Sequence, residues 1–213
     1  MIKIKTIPVG PLETNCYVVI DSNSNDAIII DPGAEAGKIL SEVENAGANL
    51  RGVILTHGHG DHIGAVSYII SNKNVPLWIH SDDAPMLTDA EKNLSAMLGF
   101  SITSHHPYNN LTDGEILQIG SLKFKVLHTP GHTRGGVSFF FDDNKNPVVF
   151  TGDTLFCGDV GRCDLPGSSW EALQESILNK LYTLPENTSV FPGHGPPSSI
   201  ANEKINNNYV KAL

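Results

Sequence analysis

The sequence predicts an α/β protein in which two β-sheets pack on each other and helices cover the outside. Three observations lead there. Short runs rich in β-branched residues outnumber the helical segments. They fall into two roughly similar halves, each of strands followed by helices. No Ser/Gly linker, charge run or low-complexity stretch divides the 213 residues, so residues 1–213 are expected to form one domain.

The elements follow in order. Lys3 to Val9, Asn15 to Ile20 and Ala27 to Ile30 read as strands separated by Pro, Asn, Asp and Ser turns. Ala34 to Ala46 places Ile39, Leu40 and Val43 on one face and meets Gly47 as a stop, which predicts an amphipathic helix. Val53-Ile54-Leu55 is wholly apolar, as in an inner strand buried on both faces. A helix is expected over Ile63 to Ile70, a strand over Leu77 to Ile79, a broken helical pattern from Asp82 to Gly99, and a polar loop from Ser101 to Asn110. Strands return at Ile116 to Ile119, Leu122 to Leu127, Val137 to Phe141 and Val148 to Phe150, with turns at Gly120-Ser121 and Asp142 to Asn146. Trp170 to Leu181 predicts a helix, Ser189 to Phe191 a strand, and Ala201 to Val210 a closing helix.

Composition narrows the function. With 14 Lys and Arg against 23 Asp and Glu the net charge is −9, which repels phosphate backbones and argues against nucleic acid as a partner. No run of about 18 apolar residues is present, so no membrane span is expected. Met1 to Lys5 alternates like a strand and lacks the marks of a signal peptide. Three cysteines, Cys16, Cys157 and Cys163, cannot all pair, which fits a reducing cytosol. Nine His in a chain this poor in Lys and Arg direct attention to metal ligands.

The chemistry concentrates in Thr56-His57-Gly58-His59-Gly60-Asp61-His62, directly after the apolar run Val53 to Leu55. Clustered imidazoles are costly to desolvate unless they bind something. Four ligands from one short segment do not complete a site, so more are expected downstream. Thr129-Pro130-Gly131-His132-Thr133, Thr151-Gly152-Asp153-Thr154 and Pro192-Gly193-His194-Gly195 each set one candidate ligand beside a Gly just past an apolar strand. Strand ends delivering side chains to one rim is how a rigid scaffold builds a site.

This set, H-x-H-x-D-H followed by P-G-H, G-D and G-H-G, resembles the metallo-β-lactamase-fold hydrolase superfamily, and within it the glyoxalase II branch in its short form. The resemblance covers nearly the whole chain. It takes in Asp31-Pro32-Gly33, Thr151 to Phe156 and Gly161-Arg162-Cys163-Asp164. It implies a four-layered αββα sandwich. It also implies two divalent ions, zinc in the first instance, with iron or manganese as alternatives. His57, His59 and His132 resemble the ligands of the first metal, Asp61, His62 and His194 those of the second, and Asp153 the bridging carboxylate. A Cys at the bridging position would point to one class of antibiotic-cleaving lactamases; the Asp there argues against that activity.

Two such ions, offset by Asp61, Asp153 and a hydroxide, leave the cluster net positive by about one charge. That charge favours a metal-bound hydroxide near neutral pH and stabilises the oxyanion formed at a carbonyl. A thioester suits the site because its thiolate leaves with little acid assistance. The expected activity is therefore that of a thioesterase of the hydroxyacylglutathione hydrolase type, acting on a small-molecule thioester. Asp61 can serve both as ligand and as proton acceptor for the attacking water. Asp31 and Thr56 are placed to orient ligand imidazoles, although a turn role is equally open for Asp31, and is the commoner one for Thr56 and Thr133. Arg162 could steer an anionic substrate or pair with Asp159 or Asp164, the pairing being favoured. His80, His105, His106 and His128 fall outside the pattern, and Cys157 and Cys163 read as packing or loop residues.

Larger glyoxalase II enzymes grip glutathione with a basic C-terminal helical segment that this sequence is expected to lack, having only Lys204 and Lys211 there. Three other readings stay open: a mononuclear iron persulfide dioxygenase, a hydrolase of another ester, thioester or lactone, and a metal-storage or structural protein. Structural zinc is normally closed by Cys-rich tetrahedra, which argues against the last.

Overall fold

The computed structural model describes residues 1–143 and 145–211; Asn144 of the expected turn, Ala212 and Leu213 lie outside the described residues. Twelve strands form two six-stranded sheets among the described residues. The first runs β1 (Ile2–Val9), β2 (Thr14–Asp21), β3 (Asp26–Ile30), β4 (Asn49–Ile54), β5 (Leu77–His80) and β6 (Asn109–Leu111), in that spatial order. β1, β2 and β3 are antiparallel, and β3 to β6 are parallel. The second sheet contains β7 (Ile116–Ile119), β8 (Leu122–His128), β9 (Val137–Phe141), β10 (Val148–Gly152), β11 (Ser189–Pro192) and β12 (Ser198–Ser199), again in chain order. Its one parallel pair is β10 with β11.

Side-chain alternation builds the layers. Tyr17 and Val19 of β2 and Ile28 and Ile30 of β3 face the second sheet, where they meet Phe124, Phe139 and Phe150. Their neighbours Val18, Ile20, Ala27 and Ile29 face the opposite way, onto helices α1 (Ala36–Asn45) and α3 (Val66–Lys73). On the far side, Phe140, Val149 and Val190 pack under α4 (Trp170–Asn179) and α5 (Ile200–Asn206). Inner strands are buried on both faces, which is why they read as unbroken apolar runs. The result is the four-layered αββα sandwich.

Several elements differ from the sequence expectation. The helix expected over Ile63 to Ile70 is split into α2 (Gly60–Ile63) and α3. The break has a tertiary cause: the Ala65 N–H donates to the Pro32 carbonyl at 2.8 Å, and Gly64 packs so tightly on Gly33 that a Cβ would stand 2.2 Å from its carbonyl oxygen. The pattern from Asp82 to Gly99 yields only 3-10 turns at Ala84–Thr88 and Ala96–Leu98. The loop expected from Ser101 to Asn110 gives its last two residues to β6, which pairs with β5. The closing helix ends at Asn206 because the buried Asn207 carboxamide oxygen accepts from the Tyr209 and Val210 N–H groups, turning the chain. No described helix is long and apolar enough to cross a membrane.

Candidate metal centre

The seven residues predicted as ligands converge on one rim of the sandwich. His57 and His59 leave the end of β4, and Asp61 and His62 lie on α2. His132 follows β8, Asp153 follows β10, and His194 follows β11. Gly193 permits a close approach to two of these side chains: a Cβ there would stand 2.1 Å from Asp153 Oδ1 and 2.9 Å from His62 Cε1.

Two groups of nitrogen and oxygen atoms could each hold an ion: His57 with His59 and His132, and Asp61 with His62 and His194. Asp153 lies between them. Its Oδ1 is 3.4 Å from His62 Nε2 and its Oδ2 is 3.4 Å from His132 Nε2 and 3.6 Å from His194 Nε2. Asp61 Oδ2 stands 3.4 Å from His62 Nε2 and 3.3 Å from His194 Nε2. These separations exceed good hydrogen bonds. They match the edges of a coordination tetrahedron, since ligand atoms about 2.1 Å from one ion stand about 3.4 Å from each other. Among the described residues, His57 Nε2, His62 Nε2 and Asp153 Oδ1 are buried without a hydrogen-bond partner. Such orphaned atoms are costly unless a cation satisfies them, so the donor set fits divalent metal.

The remaining ring nitrogens are already committed, and this fixes which nitrogen faces the centre. His62 Nδ1 lies 3.0 Å from Asp31 Oδ2, an acceptor, so Nδ1 carries a hydrogen and Nε2 is the nitrogen that faces the centre. His132 Nδ1 donates to the Arg162 carbonyl at 2.9 Å, and His194 Nδ1 to the Leu12 carbonyl at 3.1 Å. Thr56 Oγ1 donates to Asp31 Oδ2 and is thereby free to accept from His57 Nδ1, 3.0 Å away. Asp31 and Thr56 thus touch two of the candidate ligands. His59 Nδ1 faces His132 Nε2 at 2.9 Å.

Electrostatics agrees. Burial, assisted by the neighbouring His62, drives the His57 imidazole well below its ordinary value, and burial pushes His59 down to about 3. Burial also opposes charge on His62, but Asp61 and Asp153 outweigh it and hold that group well above its ordinary value. Both carboxylates are held low despite their own burial, with His62 the largest opposing influence. Two anions, the His57 and His59 rings held neutral and a His62 ring drawn toward positive charge therefore share one hollow, and the carboxylates give it a preference for positive charge.

The structure adds residues that sequence reasoning missed. Asp83, 1% exposed, accepts from Gly58 N–H at 3.1 Å, Gly135 N–H at 2.7 Å and Thr133 Oγ1 at 2.7 Å. It clamps the His57–His59 segment to the His132 loop, and burial raises its pKa. Asn15 Nδ2 donates to the Pro192 and Gly195 carbonyls, and Thr14 Oγ1 to Asp61 Oδ2 at 2.8 Å. Asp83 follows β5 as the ligands follow their strands, and that shared placement was the signal available for it. Arg162 Nε and Nη2 donate to the two Asp164 oxygens at 2.9 Å, so its guanidinium is engaged by Asp164 while the residue borders the cleft. His105 is exposed. His106 lies 3.3 Å from two serine hydroxyls, and His80 stacks on His128, with Asp82 nearby, in a partly exposed cluster apart from the centre.

The profile of the metallo-beta-lactamase superfamily matches residues 9–194. The probable metallo-hydrolase YqgX of Bacillus subtilis is 38% identical over 213 residues, spanning 99% of each chain. The hydroxyacylglutathione hydrolase GloC of Haemophilus influenzae is 35% identical over 213 residues, spanning 98% of each. The crystal structure of the BLEG-1 B3 metallo-beta-lactamase superposes with a TM-score of 0.92 at 38% identity, covering 98% of this chain and 99% of that one. That of TTHA1623 in a di-iron-bound form gives 0.86 at 35% identity, covering 97% and 100%. With a ligand hollow of this chemistry at the rim of this sandwich, the chain belongs to the metallo-β-lactamase superfamily and to its metallo-hydrolases.

Proposed function

We propose that the protein is a thioesterase of the hydroxyacylglutathione hydrolase type, with residues 1–213 acting as one domain. The observation that carries this reading is the convergence of seven ligand-type side chains with buried, unpartnered nitrogen and oxygen atoms at its middle. His57, His59 and His132 would hold one divalent ion, Asp61, His62 and His194 a second, and Asp153 would bridge them. Zinc is the proposed metal; iron and manganese suit the same donors. When bound, such ions lower the pKa of water to near 7 and polarise a carbonyl.

The protein's own groups supply the rest. Asp61 is held anionic and is fixed by the Thr14 hydroxyl, so it is placed to receive a proton from the attacking water. The outward-facing nitrogens of His62, His132 and His194 are tied to Asp31, Arg162 and Leu12, which keeps the rings from turning during turnover. A thiolate leaving group needs no strong general acid. The substrate is a small molecule, and the three unpaired cysteines favour the reducing cytosol as the compartment.

The test measures metal content of the purified protein, then S-lactoylglutathione hydrolysis beside oxygen uptake with glutathione persulfide. Two ions per chain with thioester cleavage supports the proposal. One iron with oxygen consumption would replace it with the mononuclear dioxygenase reading.

A further inference from the structure

We infer that the substrate carries an apolar, uncharged arm that lies in the cleft beside the metal centre, against Leu12, Leu94, Met97, Leu98, Phe100 and Phe156. This narrows the proposed thioesterase to substrates whose arm is not the charged glutathione, and it rests on the metal-dependent hydrolase part of that reading. The cleft has a volume of about 520 Å³ and includes His59, Asp61, His132, Asp153 and His194 in its lining. Its size suits one small ligand. It is continuous with the reaction centre rather than a separate patch. The Leu12 carbonyl accepts from His194 Nδ1 while its side chain forms wall, and Phe156 meets the His194 ring edge-on at 6.1 Å.

The opposite wall is an anchored loop with an apolar tip. Asn93 and Ser95, each 1% exposed, hold its base: Asn93 Nδ2 donates to the Met86 and Ile102 carbonyls, and Ser95 Oγ accepts from the Ile102 N–H. The Asn93 carbonyl accepts from the Gly60 N–H at 2.8 Å, at the start of the helix that bears Asp61 and His62. Yet Met97 is 71%, Leu98 50% and Phe100 53% exposed. Large apolar side chains held open at the mouth of a reaction centre mark a surface that a ligand covers.

Charge selects the ligand. Among the described residues, the charged groups lining the cleft are Asp61 and Asp153 of the centre and Arg162, whose guanidinium already serves Asp164. A glutathione thioester brings two carboxylates, and the cleft offers them one guanidinium that is exposed and shared with Asp164. An aliphatic or aromatic arm meets matching walls. Each methylene it buries raises kcat/KM about fourfold when burial is complete, and about twofold when half complete.

Two thioester series test this on the metal-loaded protein. S-acyl-N-acetylcysteamines vary the acyl side and S-alkyl thioacetates vary the leaving side, each over chains of about two to eight carbons. One series is expected to gain about tenfold or more in kcat/KM as its chain lengthens, and which one rises tells which side of the scissile bond enters the cleft. S-lactoylglutathione is expected to fall below the best member. Displacement of the neutral fluorophore N-phenyl-1-naphthylamine should strengthen with the same chain, and Met97→Ser/Phe100→Ser should flatten both gains. Cleavage with no chain-length gain, or with S-lactoylglutathione as the best substrate, overturns the inference and leaves the hydrolase reading intact. Chain-dependent displacement without cleavage of any thioester overturns the hydrolase reading and leaves the cleft assignment standing.

Discussion

Asp153 stands within 3.4–3.6 Å of ring nitrogens from His62, His132 and His194, while its Oδ1 lacks any hydrogen-bond partner. A carboxylate in that position is stable only as an anion facing positive charge. Asp153→Ala is therefore expected to release metal and to cut turnover by about three orders of magnitude or more, checked by metal per chain alongside kcat. Near wild-type values for both would remove the bridging role. Burial is graded across the ligands in a way that suits a reaction open on one side. The His62 side chain is sealed, whereas Asp61 is 21% and His194 28% exposed toward the cleft.

At the scale of elements, loops that follow strand ends in both sheets carry the site, and buried side chains bond those loops together. Asp83 is the clearest case. Asp83→Ala would leave two backbone N–H groups and the Thr133 hydroxyl unsatisfied, each at about 1–3 kcal/mol. The expectation is a lowered thermal midpoint together with about 10- to 100-fold weaker metal binding, read by melting curves and chelator competition. A fall in stability with unchanged metal affinity would reduce Asp83 to a packing residue.

At the opposite end of the sandwich, Asp26 accepts from Arg51 Nε at 2.7 Å and from the Ser121 N–H at 3.0 Å, tying β3 to the β7–β8 turn. The Arg51 hydrogen bond holds its pKa below the ordinary 3.8. The stability it contributes is present above that value and is lost as pH falls through the lower folded value. Urea midpoints at about pH 6 and about pH 3 should thus fall less for Asp26→Asn than for wild type; equal drops would dissociate this pair from acid unfolding. These ties also mark the limit of what the sequence discloses. The apolar strand runs, the ligand hexapeptide and the Gly-flanked ligands at later strand ends are local patterns, so all seven converging residues and every strand but the short edge strands β6 and β12 were legible. Asp83 and Asn15 act by bonding groups far along the chain, which leaves no periodicity to read. The break at Gly64 and Ala65 arises from contact with Pro32 and Gly33, not from helix propensity.

For the whole molecule, the two halves supply the centre jointly. Residues 57 to 62 come from the first sheet and its helices, and His132, Asp153 and His194 from the second. On the proposed ligand set, metal binding would clamp the two sheets together, and any ion that binds only the folded form raises stability by mass action. The most direct measurement is metal stoichiometry at equilibrium, by dialysis against zinc and elemental analysis, with the thermal midpoint followed in the same samples. Two ions per chain are expected, with a midpoint that drops on chelation and returns on reloading. A chain that takes up no divalent ion at saturation, with a midpoint indifferent to chelator, would contradict this expectation.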